Sequence, residues 1–197
     1  MKTTLSLLCT LILLGACGGS QVPENRAEYE VHLNTIKKFS EGDEINKGLY
    51  NRFAFKATLL NSTVSESILK EKANYYKWST PKLLSEREKN EQLRSSSTSV
   101  FMSFYTPDRQ DDNFTDKKNS IWKIYLEANG QRYEGKAKRD RRRITELNKI
   151  YPYHSRWASA YSVTFNVPTS AIEQRNAKFT VTGPLGTKVV NFVPVGP

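Results

Sequence analysis

Alternation of apolar and polar residues, the pattern of a strand with one buried face, recurs along the chain from Tyr50 onward. The Asn129-Gly130 dipeptide favours a two-residue hairpin turn, because both residues tolerate a positive φ. About seven short strands separated by turn residues are therefore predicted. The segments with this pattern are 50–60, 100–105, 121–128, 131–137, 161–167 and 179–193.

A different spacing, typical of helix, occupies residues 64–94. Val64, Ile68 and Leu69 recur at helical intervals, and Thr80-Pro81 predicts an N-cap followed by proline at the first helical position. The two patterns together predict a mainly β fold: an antiparallel β-sandwich, immunoglobulin-like or similar, with a helical insertion around residues 64–94. We expect this insertion to pack at one end of the sandwich or over a sheet edge.

The stretch that precedes Tyr50 has little pattern. Residues 26–48 are highly charged and contain few apolar positions. They predict only partial order, with a strand near Tyr29–Leu33 and a turn around Glu41-Gly42-Asp43.

The N-terminus has the pattern of a secretory signal. Lys2 supplies a positive charge, and residues 5–14 are almost wholly apolar. A run of about ten such residues suits a signal core and is shorter than the roughly 20 that a membrane-spanning helix needs. The sequence Leu14-Gly15-Ala16-Cys17 follows, and it resembles the lipobox of bacterial lipoproteins, in which an aliphatic residue and two small residues precede a cysteine.

This resemblance implies cleavage between Ala16 and Cys17 and a lipid on the Cys17 thiol. Two or more acyl chains anchor a protein stably to a membrane without any protein span. Gly18, in place of an acidic residue, implies an outer-membrane anchor with the domain facing the periplasm, and exposure at the cell surface stays open. The resemblance covers only about the first 20 residues. The predicted organisation is a signal at 1–16, a lipidated cysteine and tether at 17–27, and a single domain at 28–197.

Charge and cysteine content narrow the function classes. The chain has 30 Lys+Arg and 20 Asp+Glu, a net charge of +10, and loss of Lys2 with the signal leaves +9. A basic protein outside the cytoplasm meets lipid phosphates, lipopolysaccharide or acidic polymers, so nucleic acid is not the expected partner. Cys9 leaves with the signal and Cys17 is alkylated, so the mature chain is expected to have no disulfide, no cysteine-based metal site and no cofactor.

The densest charge feature runs from Arg132 to Arg143, with seven basic and two acidic residues and a net charge of +5. Like charges repel, so folding alone gives no reason to gather them, whereas arginine forks bind phosphate bidentately. The cluster is therefore a candidate anion-binding surface, and the alternative is a solvated loop or helix start. The candidate residues are Lys136, Lys138, Arg139, Arg141, Arg142 and Arg143.

Aromatic residues follow this cluster around Pro152. Tyr151, Tyr153 and Trp157 have flat amphipathic rings that suit a platform for sugars or a membrane interface, and we retain them as neighbouring contacts. The same pattern suits a corner of the sandwich with Trp157 in the core, which is the interpretation we favour. The acidic run 108–116 lacks the glycine and the terminal glutamate of a calcium loop, so it is interpreted as a solvated loop without a metal.

Sequence motifs for catalysis are missing. The chain has no Gly-x-Ser-x-Gly elbow and no His-Glu-x-x-His, and its two histidines, His32 and His154, are far apart. We predict a non-enzymatic envelope lipoprotein that binds anionic lipid, lipopolysaccharide or an acidic protein surface through the basic cluster. Two alternatives stay open: an accessory subunit of an envelope or secretion assembly, and a hydrolase of envelope polymers with a carboxylate pair or with His154 beside a carboxylate.

Overall fold

The computed structural model describes residues 26–116 and 120–196, which form two antiparallel sheets and four α-helices. The predicted signal, Cys17 and nearly all of the tether lie outside the described residues. Strand content is 36% and helix content 35%, so the two-sheet body agrees with the predicted fold class, but helix contributes as much as strand. None of the helices in the described part of the chain is long and apolar enough to cross a membrane.

Nine strands and four helices follow one another along these residues. The strands are β1 Ser40–Lys47, β2 Tyr50–Leu59, β3 Thr98–Tyr105, β4 Lys123–Ala128, β5 Gln131–Glu134, β6 Lys136–Arg139, β7 Ser159–Phe165, β8 Ala177–Gly183 and β9 Gly186–Phe192. The helices are α1 Arg26–Lys38, α2 Ser62–Tyr76, α3 Thr80–Ser96 and α4 Ile144–Ile150. The first sheet has the order β1-β2-β3-β7-β6 and the second the order β5-β4-β8-β9.

The two sheets face each other across a core of aromatic rings. Phe53 of β2 lies 4.9 Å from the Trp122 ring, edge to face, and Phe55 lies 5.9 Å from Phe179 of β8, as measured between ring centroids. Such pairs contribute about 0.5–1.5 kcal/mol each beyond the burial of their area. Phe53, Phe55 and Ala57 are buried and alternate with partly exposed residues, so the strand predicted at 50–60 is confirmed.

The single strand predicted at 131–137 is wrong, because the chain changes sheet at Gly135. β5 pairs with β4 in the second sheet, and β6 pairs with β7 in the first. A Cβ on Gly135 would lie 2.7 Å from Val163 Cγ1, so the crossing requires a residue without a side chain. Alternation predicts that residues on both sides of Gly135 are strands, but it does not show that the two strands belong to different sheets.

The helices form a third layer over the outer face of the first sheet, rather than a cap at one end or a cover over an edge. A second apolar cluster lies between them and the sheet, with Ile36 of α1, Ile68 of α2, Phe101 of β3 and Leu147 of α4. Helix α3 packs on α2 and has no buried residue. The predicted helical insertion is confirmed, although its second helix is capped by Ser79 and not by Thr80.

The predictions for residues 26–48 are wrong. Residues 26–38 form α1, which buries His32 and Ile36, four residues apart, against the second cluster. Gly42 is in the middle of β1 and not in a turn, and it lies so close to β2 that a Cβ there would be 2.7 Å from the Phe55 carbonyl oxygen. Both elements bury so few apolar side chains that their periodicity is not visible in the sequence.

Strand register brings several loops to one end of the first sheet. The pairs Ala54–Tyr105, Phe104–Ser159 and Tyr161–Arg139 place the start of β2, the end of β3, the start of β7 and the end of β6 together. The segments that leave the strands there are 47–50, 106–116, 140–143 and 155–158. We call this the basic end, after the charges that these segments and β6 carry.

Candidate anion-binding site

The six basic residues predicted to bind an anion fall into two groups. Lys136, Lys138, Arg141 and Arg143 are exposed and make no ion pair with any described residue. The other two are held by carboxylates within the fold. Strand alternation separates the groups in β6, because residues 136 and 138 face away from the core between the sheets and residue 139 faces toward it.

Arg139 is fixed by a buried carboxylate. Its Nη2 donates to Asp112 Oδ2 at 2.9 Å and to the Ser159 hydroxyl, and the Ser159 hydroxyl also donates to Asp112. The Tyr161 hydroxyl donates to Asp112 Oδ1 at 2.9 Å, and burial together with the Asp112 charge raises the pKa of Tyr161. Asp112 is only 7% exposed and Phe114 is in the core, so the prediction that 108–116 is a solvated loop is wrong at these residues.

Arg142 belongs to the polar interior. It donates to Asp140 Oδ2 at 2.6 Å and to Glu146 Oε1 at 3.3 Å. Burial opposes the charge of Arg142, but the hydrogen bond and charge of Asp140 and the charge of Glu146 raise its pKa. Burial likewise opposes ionisation of Asp140, and the contacts with Arg142 outweigh it, so the pKa of Asp140 is lowered. The charge of Arg142 is thus balanced within the molecule.

The three aromatic candidates do not form one platform. Tyr151 is buried and stacks on Phe101 with ring centroids 3.5 Å apart. Tyr153 is half-buried, and its hydroxyl lies 2.5 Å from Thr58 Oγ1. Trp157 is 66% exposed, so the interpretation that placed it in the core is wrong. The two tyrosines attach the segment after α4 to the sheet, and only Trp157 is free for contact with a partner.

Two further arginines, which the sequence did not single out, lie at the basic end. Arg109 follows β3 and Arg156 precedes β7; both are exposed and make no ion pair with a described residue. The Arg156 guanidinium lies 5.6 Å from the Trp157 ring centroid. Leu49 and Tyr50 in the β1–β2 turn are also exposed. Only the register of four strands brings these residues to one end, so no local sequence signal indicated them.

A small cavity of about 240 Å³ opens at the basic end beside His154. Its lining includes Arg109, Arg139, Arg142, Arg156, His154 and Ala160. His154 is buried, with Nδ1 2.8 Å from the Ser103 hydroxyl oxygen. Burial lowers the pKa of His154, against the opposing influence of the Asp140 charge. We call this cavity the arginine pocket.

A wider, open depression of about 920 Å³ adjoins the arginine pocket and shares Arg139, Asp140 and Arg142 with it. Lys138 and Arg141 line the depression as well. Its guanidinium and ammonium groups are hydrogen-bond donors that suit phosphate or carboxylate oxygens. The two cavities together form a continuous basic surface.

The hydroxyl next to His154 is buried behind the arginine pocket. Within residues 26–116 and 120–196, no group of three or more His, Cys, Asp or Glu side chains is placed to hold a metal. Ser103 hydrogen-bonds His154 but is buried and is not among the residues that line the arginine pocket. The Ser103 hydroxyl therefore orients the His154 ring.

The basic end has two adjoining cavities lined by cationic side chains, and Trp157 is exposed beside them. Arg139 and Arg142 are fixed by carboxylates, while Lys138, Arg141 and Arg156 are free of them among the described residues. Binding of an anion requires donors of this kind and neither a metal nor a nucleophile. No protein-family model, no curated protein and no solved structure matches this chain.

Proposed function

We propose that this protein is a non-enzymatic envelope lipoprotein whose basic end binds an anionic component of the envelope, namely the phosphate groups of lipids or lipopolysaccharide. One observation supports this most strongly. The exposed side chains of Lys136, Lys138, Arg141 and Arg143 have no carboxylate partner among the described residues, although Asp112, Asp140 and Glu146 lie close by. Those three carboxylates already pair with Arg139 and Arg142.

The energetics of such a surface favour an anionic partner. The four unpaired cations fall within eight residues of the chain, and their mutual repulsion does not favour the folded state. Near an anionic bilayer each Lys or Arg gains about 1 kcal/mol, and arginine adds bidentate hydrogen bonds to phosphate. Trp157 and Tyr50 are exposed at the same end, and tryptophan and tyrosine are enriched where proteins meet the headgroup layer.

The proposal includes the anchor and the placement that the lipobox resemblance implies: a lipid on Cys17 and an outer-membrane domain that faces the periplasm. An anchored domain stays at a high effective concentration next to the bilayer, so a weak electrostatic contact is enough to orient it. We also include in the proposal that the two sheets are an immunoglobulin-like or similar sandwich. In such folds the loops cluster at the two ends and carry the binding residues.

Vesicle binding tests the proposal. Residues 26–197, which contain every residue of both apolar clusters, are produced without the lipid and mixed with neutral vesicles or with vesicles that contain anionic lipid or lipopolysaccharide, over a salt series. The patch variant carries four changes to serine, at Lys136, Lys138, Arg141 and Arg143. The control variant loses the same number of charges elsewhere, at the exposed residues Lys37, Lys70, Arg175 and Lys178.

We expect binding to anionic vesicles that weakens as salt rises, because exposed charges are screened within about 10 Å at 0.1 M salt. The patch variant should bind more than tenfold more weakly than the control variant, given roughly 1 kcal/mol for each charge removed from the contact. Equal binding by the two variants would contradict the proposal, since net charge alone would then account for the attraction.

A second candidate is an accessory subunit of an envelope assembly, and the C-terminal end of α2 favours it. Tyr75 and Tyr76 are exposed there, and the Tyr76 ring stacks on Trp78 with centroids 5.9 Å apart. Exposed aromatic groups of this kind suit an apolar contact with another protein. Cross-linking in cells from a photoreactive residue at position 75 tests this candidate, and a partner captured equally at low and high salt would support it.

A further inference from the structure

The charges around the arginine pocket do not balance. Arg139 pairs with Asp112, and Arg142 pairs with Asp140 and Glu146. Arg109 and Arg156 have no such partner among the described residues. These two arginines are therefore the members of the lining whose charges no ion pair balances, and both are exposed to solvent.

Arg139 is held in place and keeps donors free. Both of its hydrogen bonds, to Asp112 and to Ser159, are made by Nη2. Its Nε and Nη1 groups bond to no described residue. A guanidinium fixed on one side in this way needs little further ordering to bind an oxyanion, which reduces the entropy cost of binding.

The size of the pocket limits what it can hold. Cavities for drug-sized ligands measure about 300–1,000 Å³. The arginine pocket, at about 240 Å³, is smaller, and it is widely open to solvent. It therefore suits one small charged group that remains attached to a larger molecule outside.

We propose that the arginine pocket binds a phosphomonoester group, held by Arg109, Arg139 and Arg156 and bordered by His154. This rests on the proposed function and deepens it by naming the ligand. A phosphomonoester carries about −1.5 to −2 charges and three free oxygens near neutral pH, which match two unbalanced arginines and the free edge of a third. A phosphodiester has a single charge and two free oxygens, and it leaves one arginine without a partner.

Trp157 follows Arg156, one of the residues that line the pocket. Its ring packs against the Arg156 guanidinium, and such a cation–π contact orients the arginine at the rim. The exposed ring also gives the uncharged remainder of the ligand an apolar surface. The same chemistry is available from a lipid headgroup with a terminal phosphate and from free phosphate in solution.

The test uses the mature lipoprotein in an uncharged detergent, titrated calorimetrically at constant ionic strength. The probes are inorganic phosphate, glycerol 3-phosphate and the diester glycerophosphoglycerol. The pocket variants are Arg109→Ser with Arg156→Ser, and Arg109→Lys with Arg156→Lys; the control variant, changed at Lys37, Lys70, Arg175 and Lys178, is the matched control. The His154 ring resonances are followed by NMR, with His32, on the buried face of α1, as the internal reference.

We expect glycerol 3-phosphate to bind at least tenfold more tightly than the diester and to shift the His154 resonances but not those of His32. The serine pair should lose more than tenfold in monoester affinity, the lysine pair less, and the control variant no more than about twofold. Equal affinity for monoester and diester, or a serine pair that binds normally, would overturn the assignment.

Vesicles of phosphatidic acid and of phosphatidylglycerol, matched in surface charge, identify the source of the phosphate. Preference for phosphatidic acid that free phosphate does not abolish supports a lipid headgroup, and full competition by phosphate supports the free ion; both support the pocket. Failure of the proposed function gives a different result. The patch variant would then bind anionic vesicles as the control variant does, while the monoester titration stayed unchanged.

Discussion

Asp112 decides where Arg139 points. Its carboxylate accepts from Arg139, Ser159 and Tyr161, which come from β6 and β7, so one buried acid ties the loop after β3 to two strands. Hydrogen bonds to a charged group contribute about 1.5–3 kcal/mol each, and an unpaired buried group costs a similar amount. Because the Arg139 side chain is 41% exposed, water screens part of its ion pair with Asp112.

Replacement of Asp112 by asparagine should lower the free energy of unfolding by about 1–3 kcal/mol, because an amide keeps the shape and loses the charge. Urea unfolding measures the change. Asp108→Asn is the control, since asparagine caps the following turn as well as aspartate does, and it should alter stability by less than about 0.5 kcal/mol. A D112N protein as stable as D108N would contradict the structural role of Asp112.

Stability should fall as the pH drops below about 6.5, and His32 is one reason. Its Nε2 donates to the Ile150 carbonyl oxygen at 2.9 Å, and Nδ1 lies 2.8 Å from the Ser67 hydroxyl, which suits a neutral ring. Burial, aided by the Lys149 charge and opposed by Ile150 and Glu71, lowers the pKa of His32 from its ordinary 6.5. The unfolded chain therefore binds more protons in this range, so the free energy of unfolding decreases with falling pH.

Urea unfolding at several pH values between 5.5 and 8 checks this expectation. A His32→Gln variant should show a smaller decrease, with the remainder owing to His154, whose pKa burial also lowers. Stability that rises as the pH falls would mean that the folded state favours the charged ring, contrary to the burial of both histidines.

At the scale of elements, the chain changes sheet at Gly135, immediately before the basic residues of β6 and of the segment that follows it. The β5 half is an edge of the second sheet and the β6 half an edge of the first, so β6 shows one side to solvent along its length. The crossing brings the Gly135 backbone against Val163 and Phe165. A change at this glycine should therefore disturb both sheets together.

Gly135→Ala should destabilise the fold by about 1–3 kcal/mol, because the added methyl lies within 3 Å of two core side chains. The thermal unfolding midpoint measures the loss. Gly48→Asn is the matched control: its φ of 62° is one that asparagine tolerates, and nothing lies within 4 Å of the added Cβ. If both variants melted at the same temperature, the close crossing would be wrong.

Elements that bury one whole face were predictable from the sequence, and the others were not. The Asn129-Gly130 turn was predicted because both residue types tolerate the positive φ that a two-residue hairpin turn requires. In the structure their φ angles are 55° and 75°. Helix α1 was missed because it buries only His32 and Ile36. The third layer was missed because nothing local shows that separate helices cover the same face.

The sequence predicted the candidate site only as a set of basic residues, without their positions in the fold. Arg142 was predicted to bind an anion, and its pairing with Asp140, two residues away, was not predicted. Arg139 has its partner Asp112 27 residues away, and Arg109 reaches the site through three strand pairings. Contacts at such separations follow from register, which depends on the packed sheet as a whole.

At the scale of the whole molecule, the proposed anchor and the basic end would act on the same membrane. The lipid would keep the domain at the bilayer, and the cations at one end of the first sheet would set which end meets it. If the cations serve only to orient the domain, their loss should leave the fold intact. Lys136, Lys138, Arg141 and Arg143 make no ion pair with described residues. The patch variant should therefore unfold in urea within about 0.5 kcal/mol of the unaltered protein.

The most direct test of the central claim is the ratio of two affinities for anionic vesicles at low salt: that of the control variant to that of the patch variant. Both variants have lost four positive charges, so only the position of those charges differs. A ratio above about ten, shrinking toward one as salt rises, is the predicted result. A ratio near one at every salt concentration would contradict the claim that the basic end is the binding surface.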